Sequence, residues 1–135
     1  MEPRADTVLI MRTYDETLSL MVEARNYLAY KEPRERPMLG AQTRVMACGE
    51  AFRVTSRLTQ VMAWLMMQRA LCDGEIGLAE AYADDHRLSE ETVCLDDSGG
   101  RDERLPKGLR SLLVRSHQLY CRIARLDEMA RGRLH

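Results

Sequence analysis

Aromatic residues are scarce in this 135-residue sequence, which has one Trp, one Phe and five Tyr. Val and Ile are also few. Because aromatic and β-branched side chains favour strands, their shortage argues against a sheet-rich fold. Ala, Leu, Met, Arg and Glu are plentiful and favour helices. A chain of this length fits one domain, residues 1–135, that can bury roughly two-thirds of its unfolded surface without a disulfide or a metal.

The sequence also lacks an apolar run long enough to cross a membrane. The most apolar window, Val61–Met67, is far shorter than the roughly 20 residues that a spanning helix needs. Glu2 and Arg4 interrupt the first residues, which therefore do not resemble a secretory signal. We expect a cytoplasmic protein with no membrane partner. In that compartment its four cysteines should be free thiols; they are Cys48, Cys72, Cys94 and Cys121.

Motifs for catalysis or cofactor binding are missing as well. There is no glycine-rich phosphate loop and no CxxC pair. His117 and Cys121 lie one helical turn apart, and with Cys94 they could hold zinc or pair a thiol with a base, but a fourth ligand is lacking. The acid pairs at 84–85 and 96–97 do not follow the ligand spacing of an EF-hand. We predict no enzyme and no catalytic, cofactor or metal site, with a small zinc or thiol protein as an alternative.

Charge is unevenly distributed behind a formal net charge of −1. Residues 73–103 contain eleven Asp and Glu against two Arg, whereas residues 107–135 contain seven Lys and Arg against two Asp and Glu. Basic helix faces could bind nucleic acid, which is a second alternative. However, the basic residues are spaced for salt bridges along helices, and no aromatic platform accompanies them. A solvated helix face is the favoured interpretation.

Apolar residues three and four positions apart predict three long helices, at about 7–30, 39–72 and 107–130. The first helix is expected to bury a stripe of Met11, Tyr14, Leu18, Met21, Val22, Ala24 and Leu28. We interpret 31–37 as a polar connector, 77–85 as a short helix, and 86–106 as an acidic, partly disordered loop with little to bury. The sequence thus predicts an all-α protein, an antiparallel three-helix bundle with a short extra helix and an acidic loop before the last helix.

The second predicted helix has more apolar surface than two neighbouring helices can cover. One stripe consists of Cys48, Ala51, Thr55, Leu58, Met62, Leu65 and Arg69, and another of Phe52, Thr59, Val61 and Met66. A further strip consists of Arg57, Gln60, Val61, Trp64 and Gln68. Because Trp and Arg often anchor interfaces, we predict that this strip is a partner or dimer interface. The alternative is a polar contact between helices within the bundle.

Several segments resemble an alphaproteobacterial family, the regulator of CtrA degradation, over about residues 14–129. The most specific is RLTQVMAWLMMQRAL at 57–71. The others are Gly74-Glu75-Ile76, Arg87-Leu88, Val93-Cys94-Leu95, Leu105-Pro106 and LYCRIARLDEM at 119–129. The resemblance implies a helical-bundle homodimer without enzymatic activity.

The same resemblance implies a function. The family's best-known member is an adaptor that helps the ClpXP protease to destroy cell-cycle regulators, together with a response-regulator-like primer of the unfoldase. The expected partners are therefore a second copy of the chain, the unfoldase–protease complex, the primer and cargo proteins, with recruitment to a cell pole. That member delivers cargo through a longer C-terminal tail, whereas this sequence ends at His135. We expect an adaptor function here to use other parts of the surface.

Overall fold

Helices make up almost all of the regular structure. The computed structural model describes residues 5–86, 88 and 92–134, and within these residues it has no strand. The helices are α1 (Ala5–Asn26), α2 (Glu32–Glu35), α3 (Ala41–Cys72), α4 (Leu78–Ala81), α5 (Thr92–Leu95) and α6 (Lys107–Arg133). Three of them, α1, α3 and α6, are long and pack on one another. The predicted all-α three-helix bundle with a short extra helix is confirmed.

Helix α1 packs through a different stripe from the predicted one. Its buried residues are Ile10, Thr13, Thr17, Leu20 and Ala24. Of the predicted stripe, Ala24 is buried, whereas Met11, Leu18, Val22 and Leu28 are exposed. The two threonines can be buried because each hydroxyl donates to the carbonyl four residues earlier, Thr13 to Leu9 at 2.8 Å and Thr17 to Thr13 at 2.7 Å. Their polar atoms are thus satisfied locally, and their methyl groups pack like those of valine.

The connector after α1 is helical, contrary to the prediction of an irregular polar segment. A π-helical turn at Tyr27–Lys31 leads into α2, and a 3-10 turn follows at Arg36–Met38. Pro33 lies in the first turn of α2, where its missing N–H has no intrahelical partner to lose. Both Nε and Nη2 of Arg36 donate to the Glu32 carboxylate, at 2.8 and 2.6 Å. This i,i+4 ion pair supports the turn.

Helix α3 buries the side that faces α6 and ends where the sequence predicts. Its buried residues are Val54, Arg57, Leu58, Val61, Trp64, Leu65 and Gln68. The helix ends at Cys72, and Gly74 then adopts the left-handed conformation with φ of 75°, which glycine tolerates best. Like every helix in the described ranges, α3 is too short or too polar to cross a bilayer.

The segment 73–106 contributes to the core. The prediction that 86–106 is a loop with little to bury is wrong for its described part. Leu88, Cys94 and Leu105 are all nine-tenths buried or more. Short helical turns, α5 and a 3-10 turn at Ser98–Arg101, position them. Residues 87 and 89–91 lie outside the described residues. These three buried side chains fill the gap beside α3 and α6, whereas Leu78 and Leu95 of the same segment are exposed.

The direction of α6 differs from the one that the predicted antiparallel arrangement of the three helices requires. Thr7 on α1 contacts Cys72 on α3, so these two helices are antiparallel. Arg57 on α3 bonds to Leu113 on α6, and Trp64 bonds to Asp127, so α3 and α6 run parallel. The segment 73–106 is long enough to return along the bundle before α6 begins. Helix α1 therefore runs antiparallel to both α3 and α6, and the core lies between these three helices.

Candidate functional site

The strip that the sequence predicted as an interface lies inside the bundle. Arg57 and Val61 are 0% exposed, Trp64 is 6% exposed and Gln68 is 7% exposed. Gln60 is partly buried. The prediction that these five residues form a partner or dimer interface is therefore wrong. The alternative, a polar contact within the bundle, describes them, because α6 and the segment 73–106 cover this side of α3.

Arg57 is a buried cation that bonds to neutral oxygens. Its Nε donates to the carbonyl of Cys94 at 2.8 Å, and its Nη2 donates to the carbonyl of Asp96 at 2.6 Å. Its Nη1 donates to the carbonyl of Leu113 at 2.9 Å and to Ser116 Oγ at 3.1 Å. Burial lowers the pKa of Arg57 because a charged group loses hydration there. One side chain thus joins α3, the α5 segment and α6.

The indole N–H of Trp64 donates a hydrogen bond to a second buried group, the carboxylate of Asp127. The distance from Trp64 Nε1 to Asp127 Oδ1 is 2.9 Å. The Nε of Arg131 donates to both oxygens of the same carboxylate, at 3.1 and 3.0 Å, and its Nη1 donates to the Tyr82 carbonyl at 2.7 Å. Asp127 and Arg131 are 1% and 5% exposed. The tryptophan that suggested an interface is therefore an anchor between α3 and the end of α6.

The two glutamines of the strip also bond within the chain. The Tyr82 hydroxyl donates to Gln68 Oε1 at 3.1 Å, and Gln60 Nε2 donates to Cys94 Sγ at 3.5 Å. Both partners belong to the segment between α3 and α6. A sequence pattern on α3 alone contains no signal for these long-range partners.

The candidate zinc or thiol residues form a pair rather than a metal cage. Cys121 Sγ lies 3.4 Å from His117 Nε2, which is also 3.1 Å from the Leu95 carbonyl. Cys94 is buried, and all four cysteines are free thiols. Among the described residues, no group of three or more potential ligands is arranged to hold a metal. His117 links α6 to the end of α5, and Cys121 contacts His117 within α6.

The acid pair at 96–97 stabilises a local turn. Asp96 Oδ1 accepts from the backbone N–H of Ser98 at 2.9 Å and from its hydroxyl at 2.7 Å, and these bonds hold the pKa of Asp96 below its usual range. Asp97 pairs with Arg101 at 2.9 Å. Asp84 is exposed, and the side chain of Asp85 lies outside the described part of the chain. Asp96 and Asp97 therefore make local bonds, and Asp84 lies at the solvated surface.

Two basic residues of α6 pair with acids of α1. Arg115 Nη1 donates to Glu23 at 2.7 Å, and Arg122 Nη2 donates to Glu16 at 2.7 Å. The hydrogen bond from Arg115 lowers the pKa of Glu23. These arginines thus belong to interhelical ion pairs, as the solvated-face interpretation expects. Nucleic-acid binding by the remaining basic residues stays a prediction.

An apolar surface lies on the side of the bundle where α1 meets α3. A groove of about 450 Å³ separates the helices, and its walls come from Met21, Ala24, Arg25, Leu28, Ala29, Thr55, Leu58 and Thr59. Positions seven apart share a helix face, so Val45, Phe52 and Met66 lie on the same side of α3 as Thr59, and Leu18 lies on the same side of α1 as Arg25. We call the groove with these four residues the α1–α3 face.

The α1–α3 face has protruding side chains as well as a groove. Phe52 is 66% exposed and Met66 is 59% exposed. Scattered exposed apolar residues are ordinary on a protein surface, but a contiguous patch marks an interaction site. The second stripe of α3 in the sequence contained Phe52, Thr59 and Met66, and none of the three is buried by the bundle.

Comparisons with known proteins identify a family and a similar solved structure. Residues 1–134 match the family described as Protein of unknown function (DUF1465). The crystal structure of RcdA from Caulobacter crescentus CB15 is similar, with a TM-score of 0.72 and 33% sequence identity over 90% of this chain and 89% of that chain. No curated protein matches the sequence. The resemblance to the regulator of CtrA degradation family is confirmed by these matches.

Proposed function

We propose, because this chain belongs to the DUF1465 family and shares its fold with RcdA, that it is a non-enzymatic adaptor in regulated proteolysis. The observation that carries the proposal is 33% identity together with a matching fold over nine-tenths of both chains. The contacts described above support it: the polar residues that looked functional on the sequence hold the bundle together. The α1–α3 face is an exposed apolar patch, and such a patch suits protein binding.

The more specific proposal is that the adaptor works with the ClpXP protease during the bacterial cell cycle. Its partners would be the unfoldase, a response-regulator-like primer and cargo proteins, in the cytoplasm and at a cell pole. These partners follow from the family resemblance of segments such as 57–71 and 119–129.

The most direct test is degradation of a cell-cycle regulator by purified ClpXP and primer, with and without this chain. We expect the chain to raise the degradation rate severalfold, since an adaptor raises the local concentration of cargo at the protease. Cargo loss would be followed on gels over time. The proposal is wrong if the rate stays the same and if the chain also binds neither unfoldase, primer nor cargo in pull-downs.

We further propose that the α1–α3 face binds a second copy of this chain. The face has protruding apolar residues, Phe52 and Met66, beside an apolar groove between Met21, Leu28 and Leu58. A two-fold interface uses the same patch on both copies, so residues that protrude from one copy can enter the groove of the other. Burial of a Phe or Met side chain contributes about 1.5–3 kcal/mol, which is a large part of a dimer's stability.

Replacing Phe52 with Asp should convert the dimer to a monomer. The carboxylate would have to lose its hydration in an apolar interface, and we expect dimer affinity to fall roughly 100-fold or more. Light scattering after size exclusion measures the mass. Met129→Asp is the matched control, because Met129 is 56% exposed on α6 and lies outside the α1–α3 face. A wild-type monomer, or a Phe52→Asp dimer, would contradict the proposed interface.

A further inference from the structure

The two parallel helices, α3 and α6, begin toward the same end of the bundle. Gly40 precedes α3 and Pro106 precedes α6, and the parallel contacts of the two helices place both residues on this side. Neither helix has a side-chain cap or an acidic residue in its first turn. The unpaired backbone N–H groups and the positive ends of two helix dipoles therefore face this end, where they favour negative charge.

Two side-chain cations add to the positive charge of this end. Arg44 and Lys107 are exposed, and neither forms an ion pair with a residue that the structure describes. The neighbouring Arg36 is different, because it is bonded to Glu32 at 2.6 Å. Glu103 is exposed nearby and offsets only part of the charge. Unpaired arginine and lysine side chains next to two helix starts indicate a surface that attracts carboxylates.

An apolar hollow opens at the same place. Its volume is about 270 Å³, which is below the usual range for small-molecule pockets, so it suits one inserted side chain better than a whole ligand. Arg44 contributes to its wall. The apolar part of the wall consists of Leu28, Leu39, Ala47, Ala51, Pro106 and Leu109.

Met38 protrudes beside the hollow. It directly precedes Leu39 in the wall, and its side chain is 84% exposed, which is more than any other large apolar side chain in the described ranges. An apolar partner residue can thus contact Met38 outside the hollow as well as the wall inside it. We call the hollow, together with Met38, Arg44 and Lys107, the connector end.

We propose that the connector end binds an acidic segment of a partner protein, with one large apolar residue of that segment in the hollow. Acidic residues on either side of this anchor pair with Arg44 and Lys107. A hollow of definite size accepts a side chain, whereas insertion into a lipid surface needs a broad apolar face. The connector end is separate from the α1–α3 face, although Leu28 lines the grooves of both. Its test uses the purified chain alone, so a failed degradation assay leaves it unaffected.

A pair of synthetic peptides tests this partner chemistry. The first is a fluorescein-labelled peptide with one Phe between two runs of Glu, and the second has Ser in place of the Phe. By fluorescence polarisation, the Phe peptide should bind at least roughly tenfold more tightly, because only Phe fills the apolar hollow. Its affinity should fall severalfold when salt rises from about 0.05 to 0.3 M, because the carboxylates pair with exposed cations. Equal binding of the two peptides would overturn the proposal. So would binding to phosphatidylglycerol vesicles or duplex DNA when neither peptide binds.

Two cysteines report where the Phe peptide binds. Cys48 lines the hollow and is exposed, and Cys72, also exposed, lies at the opposite end of α3 and serves as the internal control. The Phe peptide at saturation should slow alkylation of Cys48 by iodoacetamide severalfold and leave Cys72 unchanged, as measured by peptide mass spectrometry. If alkylation of Cys48 is not slowed, the peptide does not occupy the hollow and the proposal is wrong.

Two matched double variants test the charges. Arg44→Glu with Lys107→Glu should weaken binding of the Phe peptide at least roughly tenfold. Both changes put an acid near a helix start, where it is favourable, so the variant should fold. Arg12→Glu with Arg125→Glu is the control, because it makes the same change in net charge at exposed residues of the other half of the bundle. We expect it to weaken binding by about twofold or less. Equal weakening by both double variants would overturn the proposal.

Discussion

Replacing Asp127 with Ala is expected to lower the free energy of unfolding by about 3–5 kcal/mol. The carboxylate is 1% exposed and accepts hydrogen bonds from Trp64, from Arg131 and, at 3.4 Å, from the backbone N–H of Leu88. Removal of the carboxylate leaves the guanidinium of Arg131, which is also buried, without an opposite charge. Chemical denaturation measures this change in the free energy of unfolding. It can be followed by the fluorescence of Trp64, the single Trp, which bonds to Asp127.

A second variant separates charge from packing at this site. In Asp127→Leu with Arg131→Met, both buried charges are gone, so the double variant should recover about half or more of the lost stability. Glu128→Ala is the control, because Glu128 is exposed on the same helix and a surface change should stay within about 0.5 kcal/mol. If Asp127→Ala were as stable as Glu128→Ala, the Asp127 network would not anchor Trp64.

Replacing Arg57 with Met is expected to cost about 2–4 kcal/mol. Methionine fills much of the volume of the arginine side chain. However, the carbonyls of Cys94 and Asp96 lose the hydrogen bonds that the Arg57 guanidinium donates to them inside the protein. Arg57→Lys should also be less stable than wild type, since an ammonium cannot reach four acceptors in fork geometry. The midpoint of thermal unfolding should fall by roughly 10 °C for Arg57→Met.

The control for Arg57 lies one turn away. Arg53 is partly buried and pairs with the carboxylates of Glu50 at 3.0 Å and Asp96 at 3.7 Å. Arg53→Met removes an arginine of the same helix but leaves the bonds from Arg57 to the carbonyls of Cys94 and Asp96 in place. We expect a cost of about 1 kcal/mol or less. Hydrogen exchange at 94–96 should also be accelerated more by Arg57→Met than by Arg53→Met. Equal effects of the two substitutions would mean that Arg57 does not fasten this segment.

The helices could be predicted from the sequence, but the buried side of α1 could not. Apolar residues lie on two adjacent sides of α1, and periodicity does not say which of them packs. Thr13 and Thr17 have polar side chains, yet their hydroxyls bond to backbone carbonyls and the residues are buried. The end of α3 just before Gly74 was predictable, because a residue in the left-handed conformation after a helix is usually glycine.

The direction of α6 and the role of the Arg57–Gln68 strip were not predictable for one shared reason. Both depend on the segment 73–106, in which the sequence predicted an acidic, partly disordered loop at 86–106. The buried contacts of this segment come from isolated residues such as Leu88, Cys94 and Leu105, without a periodic pattern. The polar strip of α3 binds to this segment and to α6. The excess of apolar surface on α3 was predicted, and Phe52 and Met66 are where it is exposed.

Cargo degradation by ClpXP with surface variants tests most directly that the α1–α3 face, and not the Arg57–Gln68 strip, serves partners. Wild-type chain and Met129→Asp should raise the rate of cargo loss to the same level. Phe52 is on the surface, so the Phe52→Asp variant should fold normally. At equal concentration, its stimulation of cargo loss is expected to be at least roughly tenfold smaller than that of the wild-type chain. Full stimulation by Phe52→Asp, or no stimulation by any of the three proteins, would contradict the account.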